Sequence, residues 1–478
     1  MAVLAHLEPQ SVFRFFEEMC AIPHGSSNTK VVSDWLMAFA RERNLEAYQD
    51  ELNNVIIVKE ATSGYENAAP VILQGHMDMV CEKAPDCQKD LEREGLDLAV
   101  EGDTVYAIGT TLGGDDGIAV AMALAILDAE DLSHPRLEAV FTVDEEIGML
   151  GAAGLDVSRL RGRMLLNLDS EEEGVFTVSC AGGNVTCCTL PLVREPFEGT
   201  ALTITVGGLA GGHSGVEINK GLGNSNLLMG RVLYAASKRA ELRLVHVSGG
   251  LKDNAIPRET VATLVTADPE TVRAVCSEMD AVLKNEYRVT DPDVFVTAAE
   301  GEAALPMDGE TTRKAICFLN AIPNGVQTMS AEIPGLVQTS LNLGILTTTE
   351  KELCGVSCVR SSVDSQKRML VDRICCFAET LGARVEVQGD YAGWAFRPES
   401  PLRDLLVEVF TEQYGRQPKI EAVHAGLECG VLISKMPGLD CVSLGPDLTE
   451  IHTVREKLHI ASVQRLWNLV TETLKRMK

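Results

Sequence analysis

Positive charge is in short supply in this sequence: 42 Lys and Arg stand against 69 Asp and Glu, leaving a formal net charge of −27 over 478 residues. Nucleic-acid binding draws mainly on Lys and Arg neutralising phosphates, so that backbone is not the expected partner. The start, Met1-Ala-Val-Leu-Ala-His-Leu-Glu-Pro, lacks the basic residues and apolar stretch of a signal peptide. The longest apolar run, Ile118 to Leu127, is too short to cross a bilayer, so the expected location is the cytoplasm, away from membranes. No CxxC pair recurs at zinc-finger spacing among the 14 cysteines, which read as reduced, mostly buried small apolar residues. No low-complexity tract, nucleophile elbow, phosphate loop or dinucleotide fingerprint occurs.

The composition, 45% hydrophobic and 23% charged, is that of an ordinary globular protein, and the length exceeds what one core supports, so two domains are expected. Pro9 to Arg43 has helical periodicity, and Gly117 to Ala129 reads as an apolar helix. Asn54 to Lys59, Val71 to Gln74, Ala139 to Val143 and Met164 to Leu168 read as strands, the last three buried. This alternation predicts an α/β sheet with helices on both faces. After Gly182-Gly183 come amphipathic strands (Ala201 to Val206, Glu259 to Val265) separated by helices (Asn226 to Ala240, Asp268 to Glu286). A second round follows: strands Gln338 to Leu343, Ser357 to Ser361 and Arg384 to Gln388 around a helix from Ser365 to Leu381. This reads as an α+β insertion built from two related halves. The helix Leu402 to Tyr414 and the strand Asp440 to Leu444 resume the first texture, dividing the chain into 1–185, 186–390 and 391–478.

Ligands gather at the carboxyl ends of strands in open α/β sheets. Here Val71-Ile-Leu-Gln-Gly leads into His76-Met77-Asp78, Ala139-Val-Phe-Thr-Val into Asp144-Glu145-Glu146, and Met164-Leu-Leu-Asn-Leu into Asp169. Asp115-Asp116 opens the apolar helix. Singly, these acids also fit a helix cap, a solvated turn or an exposed acidic run. Together at one sheet edge they repel one another unless a cation or shared protons intervene. With His76 present, a metal is the expected relief: zinc, manganese or cobalt, with a bridged pair fitting the excess of oxygen ligands. Acids neutralised in this way would also cease to count as surface charge. Asp78, two residues from His76 on an extended segment, faces the same way and can orient the imidazole. Glu145 and Glu146 point differently, so one can ligate while the other accepts a proton from water. Spacing does not say which does which.

Gly75-His-Met-Asp-Met-Val80, Gly113-Gly-Asp-Asp-Gly117, Asp144-Glu-Glu-Ile-Gly148, Asn167-Leu-Asp-Ser170 and Glu450-Ile-His-Thr453 resemble, in order and spacing, the cytosolic aminoacyl-histidine (Xaa-His) dipeptidases of the co-catalytic zinc peptidase and aminoacylase group. Gly211-Gly-His-Ser-Gly215, Asn254-Ala-Ile-Pro-Arg-Glu259 and His424-Ala-Gly-Leu-Glu-Cys-Gly430 extend the resemblance over nearly the whole chain. It implies two zinc ions per subunit, replaceable by manganese or cobalt. Asp115 would bridge them, with His76 and Asp169 completing one site and Glu146 and His452 the other. Glu145 would be the general base. The implied fold is a zinc-peptidase-type α/β/α catalytic domain, built from both chain ends, with an inserted α+β lid or dimerisation domain in a homodimer.

In the lid, the resemblance makes His213 a candidate to polarise the scissile carbonyl, either within its own subunit or across the dimer it implies, and places Asn254, Arg360 and Gly426 at the substrate. Arg360 has the fork that pairs with a carboxylate. The implied reaction is hydrolysis of short peptides such as β-alanyl-histidine by a water that two zinc ions activate. An aminoacylase on the same metal site, or a non-catalytic metal-binding scaffold, are the competing readings. Two positions depart from the pattern: Asp116 stands where relatives often have Asn, and Asn219 to Ser225 lacks the usual Arg and Ala. Both bear on which dipeptide is preferred.

Overall fold

The computed structural model describes residues 2–302 and 304–478. They divide into two compact units: Met1–Ser179, Phe396–Ala422 and Leu427–Lys478 form the first, and Cys180–Ala395 with Val423–Gly426 form the second.

The first unit is built on an eight-stranded sheet. From one edge its order is Glu46–Gln49, Val55–Lys59, Leu137–Thr142, Val71–His76, Met164–Asn167, Asp440–Ser443, Val175–Cys180 and Lys419–Val423. The strands Leu137–Thr142, Val71–His76, Met164–Asn167 and Asp440–Ser443 run parallel to one another. Every residue of Val71–His76 and Leu137–Thr142 is buried, as expected for parallel strands covered on both faces. Because these strands are parallel, their carboxyl ends share one edge of the sheet.

The helix Gly114–Asp128 is apolar almost all round, with Ile118 through Leu127 buried, and belongs in a core. It packs against Gln10–Cys20, whose Phe13, Phe16 and Met19 join the same cluster. Asp115 and Asp116 have non-helical dihedral angles, so regular helix begins at Gly117, where the sequence places it.

The periodicity from Pro9 to Arg43 resolves into two helices, Gln10–Cys20 and Lys30–Glu42. Pro23, unable to donate a helical hydrogen bond, lies in the break. The chain there turns toward the sheet edge, with Gly25 bridging to Met79 and Ser26 Oγ donating to Asp78 at 2.8 Å. A separate four-stranded sheet, ordered Leu448–Thr449, Lys457–His459, Thr104–Ala107 and Leu98–Glu101, holds a hairpin whose loop carries residues 450 to 456.

The second unit has a nine-stranded, mainly antiparallel sheet. Its order is Phe295–Glu300, Thr200–Gly207, Thr260–Thr266, Leu242–Gly249, Val337–Thr348, Glu352–Ser361, Gly182–Pro191 and Arg384–Tyr391, with Gly325–Met329 also pairing with Val337–Thr348. Alternate residues such as Leu202, Ile204 and Val206 enter a core of their own with Leu228, Val272, Leu319 and Leu370 from four helices. Among the described residues no helix is long and apolar enough to cross a membrane.

Candidate metal centre

His76 is the last residue of its strand and pairs in parallel with Thr142, which puts Glu145 and Glu146 just beyond the neighbouring strand end. Gln74 pairs with Asn167, so Asp169 emerges from the strand on the other side. Gly75 lets the start of the helix Gly114–Asp128 come close: a Cβ there would stand 2.5 Å from Asp116 Oδ2 and 2.7 Å from Ala119 Cβ. His452 arrives from the 450–456 loop with φ of 59°, a left-handed conformation uncommon for a side-chain-bearing residue.

These side chains converge. Asp115 spans the group, with Oδ1 3.2 Å from His76 Nε2 and Oδ2 3.2 Å from His452 Nε2. His452 Nε2 also lies 2.9 Å from Glu146 Oε1, and His76 Nε2 lies 3.7 Å from Asp169 Oδ1. Three sets of donor atoms fall within 4.8 Å of one another and could each hold an ion: His76, Asp116 and Asp169; His76, Glu145 and Glu146; and Asp115, Glu146 and His452. Glu146 Oε1 is buried and accepts no well-formed hydrogen bond despite its imidazole neighbour. Imidazole nitrogens and carboxylate oxygens converging at ligand distances, with an orphaned acceptor among them, fit a pair of borderline divalent cations such as zinc.

The electrostatics agree. Burial pushes the Asp115 carboxyl up, but bonds from His452 and His76 outweigh it and hold the group well below the ordinary range. Burial disfavours charge on His76, yet Asp115, Asp169 and Asp78 raise its pKa well above normal. His452 is raised to about 10, chiefly by the Asp115 and Glu146 carboxylates beside it. Asp169 is pushed well up by burial and then by Asp116. Glu145 rises to about 8, mainly through burial, with His76 opposing and Glu428, Glu146 and Asp115 adding to the rise. Protons thus crowd the site to offset its negative charge, and cation binding to such ligands releases protons.

Asp78 does more than face the imidazole. His76 Nδ1 donates to the backbone carbonyl of Asp78 at 2.9 Å, with the carboxylate 3.6 Å away, which leaves Nε2 for a metal. The Asp78 carboxylate itself accepts from the backbone N–H of Glu145 at 3.1 Å. One residue therefore orients both the imidazole and the neighbouring Glu145.

Four further acids surround the centre, and spacing alone did not single them out as participants. Asp116, 1% exposed, accepts from the His76 backbone N–H at 3.2 Å. Glu171, pushed up to about 7 first by burial and then by Asp115, stands two residues beyond Asp169. Glu428 is fully buried and receives Thr142 Oγ1 at 2.6 Å and Gln74 Nε2 at 2.5 Å. Glu456, 3% exposed, accepts from four backbone N–H groups of residues 112 to 115. Asp116 and Glu428 stood inside quoted motifs, and Glu456 follows His452 by four residues; their partners, which give them meaning, are remote in sequence.

His213, Asn254, Arg360 and Gly426 belong to the second unit. The pair Gly212–His213 is held against Ala255–Ile256, and Asn254 accepts from Ser214 N–H at 2.8 Å. His213 Nδ1 accepts from the backbone N–H groups of Gly215 and Val216, which leaves its proton on Nε2. Burial and then Arg360 lower its pKa, keeping the ring neutral. His424, lowered to about 3 by burial and then Arg360, accepts or donates through Nε2 to Ser340 Oγ at 2.7 Å. Arg360 Nε, His424 Nδ1 and Ser214 Oγ are buried without a hydrogen-bond partner.

The chain as a whole is similar to known proteins. The chain is 38% identical to the cytosol non-specific dipeptidase of Escherichia coli (strain K12), covering 100% of this chain and 99% of that protein. The crystal structure of aminoacylhistidine dipeptidase from Vibrio alginolyticus superposes with a TM-score of 0.94 at 36% identity, covering 99% of this chain and 97% of that one. The aminopeptidase PepT of Bacillus cereus shares the fold at 16% identity, with a TM-score of 0.56 over 98% of this chain and 99% of its own. Residues 72–476 match the model of Peptidase family M20/M25/M40, and the chain belongs to that family.

Proposed function

We propose that this chain is a dinuclear-metal dipeptidase acting on short peptides, Xaa-His dipeptides such as β-alanyl-histidine among them, with zinc as the resident metal. The observation that carries the reading is the Asp115 carboxylate, which presents one oxygen to His76 and the other to His452 at 3.2 Å each. His76 and Asp169 would hold one ion, Glu146 and His452 the other, and Asp115 both. Such a pair, when bound, supplies Lewis-acid polarisation of the scissile carbonyl and a lowered pKa for water.

The remaining work falls to side chains. Glu145, held through its backbone by Asp78, takes the proton of the attacking water and returns it to the leaving amine. His213, neutral and carrying its proton on Nε2, is suited to donate to the oxygen that becomes negative in the transition state. Arg360, with Asn254 and Gly426, is assigned to the substrate's carboxyl end; the buried, unpartnered Arg360 Nε supports this, since a carboxylate would satisfy it.

We place the enzyme in the cytosol, as a homodimer formed through residues 186–390, the proposed lid. Leu251, 95% exposed, and Val289, 82% exposed, are apolar side chains on the second unit that a subunit contact would cover. Sedimentation of a single monomeric species at micromolar concentration would refute the dimer.

The function is tested by a panel of dipeptides including β-alanyl-histidine, with an N-acyl amino acid beside them, assayed before chelation, after it, and after zinc or manganese is restored. Loss and recovery of dipeptide cleavage is expected. Faster cleavage of the N-acyl amino acid would replace the reading with an aminoacylase, and activity indifferent to verified metal removal would overturn the metal assignment.

A further inference from the structure

The helix that begins at Gly114 lacks a cap of its own: Gly113, with φ of 65°, has no side chain to offer its first amides. The first N–H groups of a helix need acceptors from elsewhere. They find them far along the chain. Glu456 Oε2 accepts from Leu112 and Gly113 N–H at 2.8 and 3.1 Å, and Oε1 accepts from Gly114 and Asp115 N–H at 2.8 and 3.3 Å. Both oxygens of one buried carboxylate are thereby spent on four consecutive amides, the last belonging to the residue whose side chain reaches both His76 and His452.

The other end of this contact matters as much. Glu456 closes the loop that carries His452, and the loop is fixed at its base by pairing of Leu448–Thr449 with Lys457–His459. Within it, Thr453 Oγ1 donates to Glu450 O at 2.7 Å, and Glu456 N–H donates to Thr453 O at 3.1 Å. Gly114 is shaped for the approach: a Cβ there would stand 2.7 Å from Leu448 Cδ2 and 3.2 Å from Glu456 Oε1. Beside the contact of His452 Nε2 with Asp115 Oδ2, the carboxylate is thus a second direct hydrogen-bonded link between the segment bearing Asp115 and the loop bearing His452.

We propose that Glu456 is a positioning residue of the metal centre, its carboxylate clamping the Asp115 segment to the His452 loop so that both ligands are held ready for the same ion. With both oxygens occupied by backbone amides, it acts through Asp115 and His452. The inference rests on the metal-centre reading above, and it differs from simple helix capping in what it protects. A cap stabilises the fold, whereas a clamp between two ligand-bearing segments sets metal affinity. Partners of this kind, when lost, cost 10–100-fold in affinity or activity.

The test is cobalt(II) or zinc titration against a competing chelator, using the full chain freed of metal. Glu456→Gln keeps the side chain's size but turns one acceptor oxygen into a donor facing amide hydrogens. Leu458→Ala is the control: it removes a fully buried side chain from the adjoining strand and weakens the fold without touching the carboxylate. We expect Glu456→Gln to bind its weaker metal equivalent roughly 10–100-fold less tightly than wild type, with kcat largely recovered at saturating metal. Leu458→Ala should lower Tm and keep wild-type affinity. Glu456→Asp, which keeps the charge but reaches less far, should lie between and serves if Glu456→Gln does not fold. Unchanged affinity in a folded Glu456 variant, or an equal loss in Leu458→Ala, would overturn the clamp. A wild-type chain that binds no metal would overturn the underlying metal-centre reading instead.

Discussion

At the scale of single residues, proton affinities separate the roles. Glu145 is the one carboxylate proposed to move a proton, so Glu145→Ala should retain metal and lose roughly 100-fold or more in kcat; an unchanged kcat would remove it from the mechanism. Glu428 gives a prediction on stability. Its folded pKa is raised from 4.5 to about 7, chiefly by burial, against His76 and the Thr142 and Gln74 bonds. A raised folded pKa means that the folded state holds the proton more tightly than the unfolded one. The associated stability is therefore complete below pH 4.5 and fades as pH climbs through about 7. In chelated protein this amounts to at most about 3 kcal/mol. Glu428→Gln should flatten that part of the pH dependence in urea unfolding between pH 4.5 and 8, and parallel curves for the two proteins would refute it.

Among elements, the decisive contact is between a strand and the start of a helix. Gly75→Ala would drive a methyl group into Asp116 and Ala119, so a loss of about 1–3 kcal/mol in denaturant unfolding is expected. Metal affinity should fall with it, because His76 is the next residue; a variant as stable as wild type would show that the helix start yields freely. This level also explains what could be read from sequence. Val71–His76, Leu137–Thr142 and Met164–Asn167 announced themselves as apolar runs, and parallel strands deliver whatever follows them to one edge, so His76, Glu145, Glu146 and Asp169 were legible. The break between Gln10–Cys20 and Lys30–Glu42 was not, since periodicity carried across it while the bridge from Gly25 to Met79 is a tertiary contact. Glu456 was illegible for a similar reason: its partners are backbone amides over 340 positions upstream, and amides leave no mark in a sequence.

For the molecule as a whole, two units with separate cores imply separate responses to metal. Every proposed ligand lies in the first unit. Metal at 100 times its Kd adds about 2.7 kcal/mol to the unit that binds it, or roughly 5–10 °C in Tm for a unit of this size. Calorimetry with and without chelator should therefore move one transition and leave the other nearly in place; equal shifts in both would show that the units unfold as one. The sheet order has a further consequence for biosynthesis. Asp440–Ser443 is inserted between Met164–Asn167 and Val175–Cys180, so a growing chain leaves an open slot in its own sheet until residues 440–443 have been made, 260 or more positions after its neighbours. His452 follows later still. A ribosome-bound chain stopped before residue 440 would expose two unpaired strand edges and lack one proposed ligand, so that completion of the sheet and assembly of the proposed metal site both wait for residues 440 to 452.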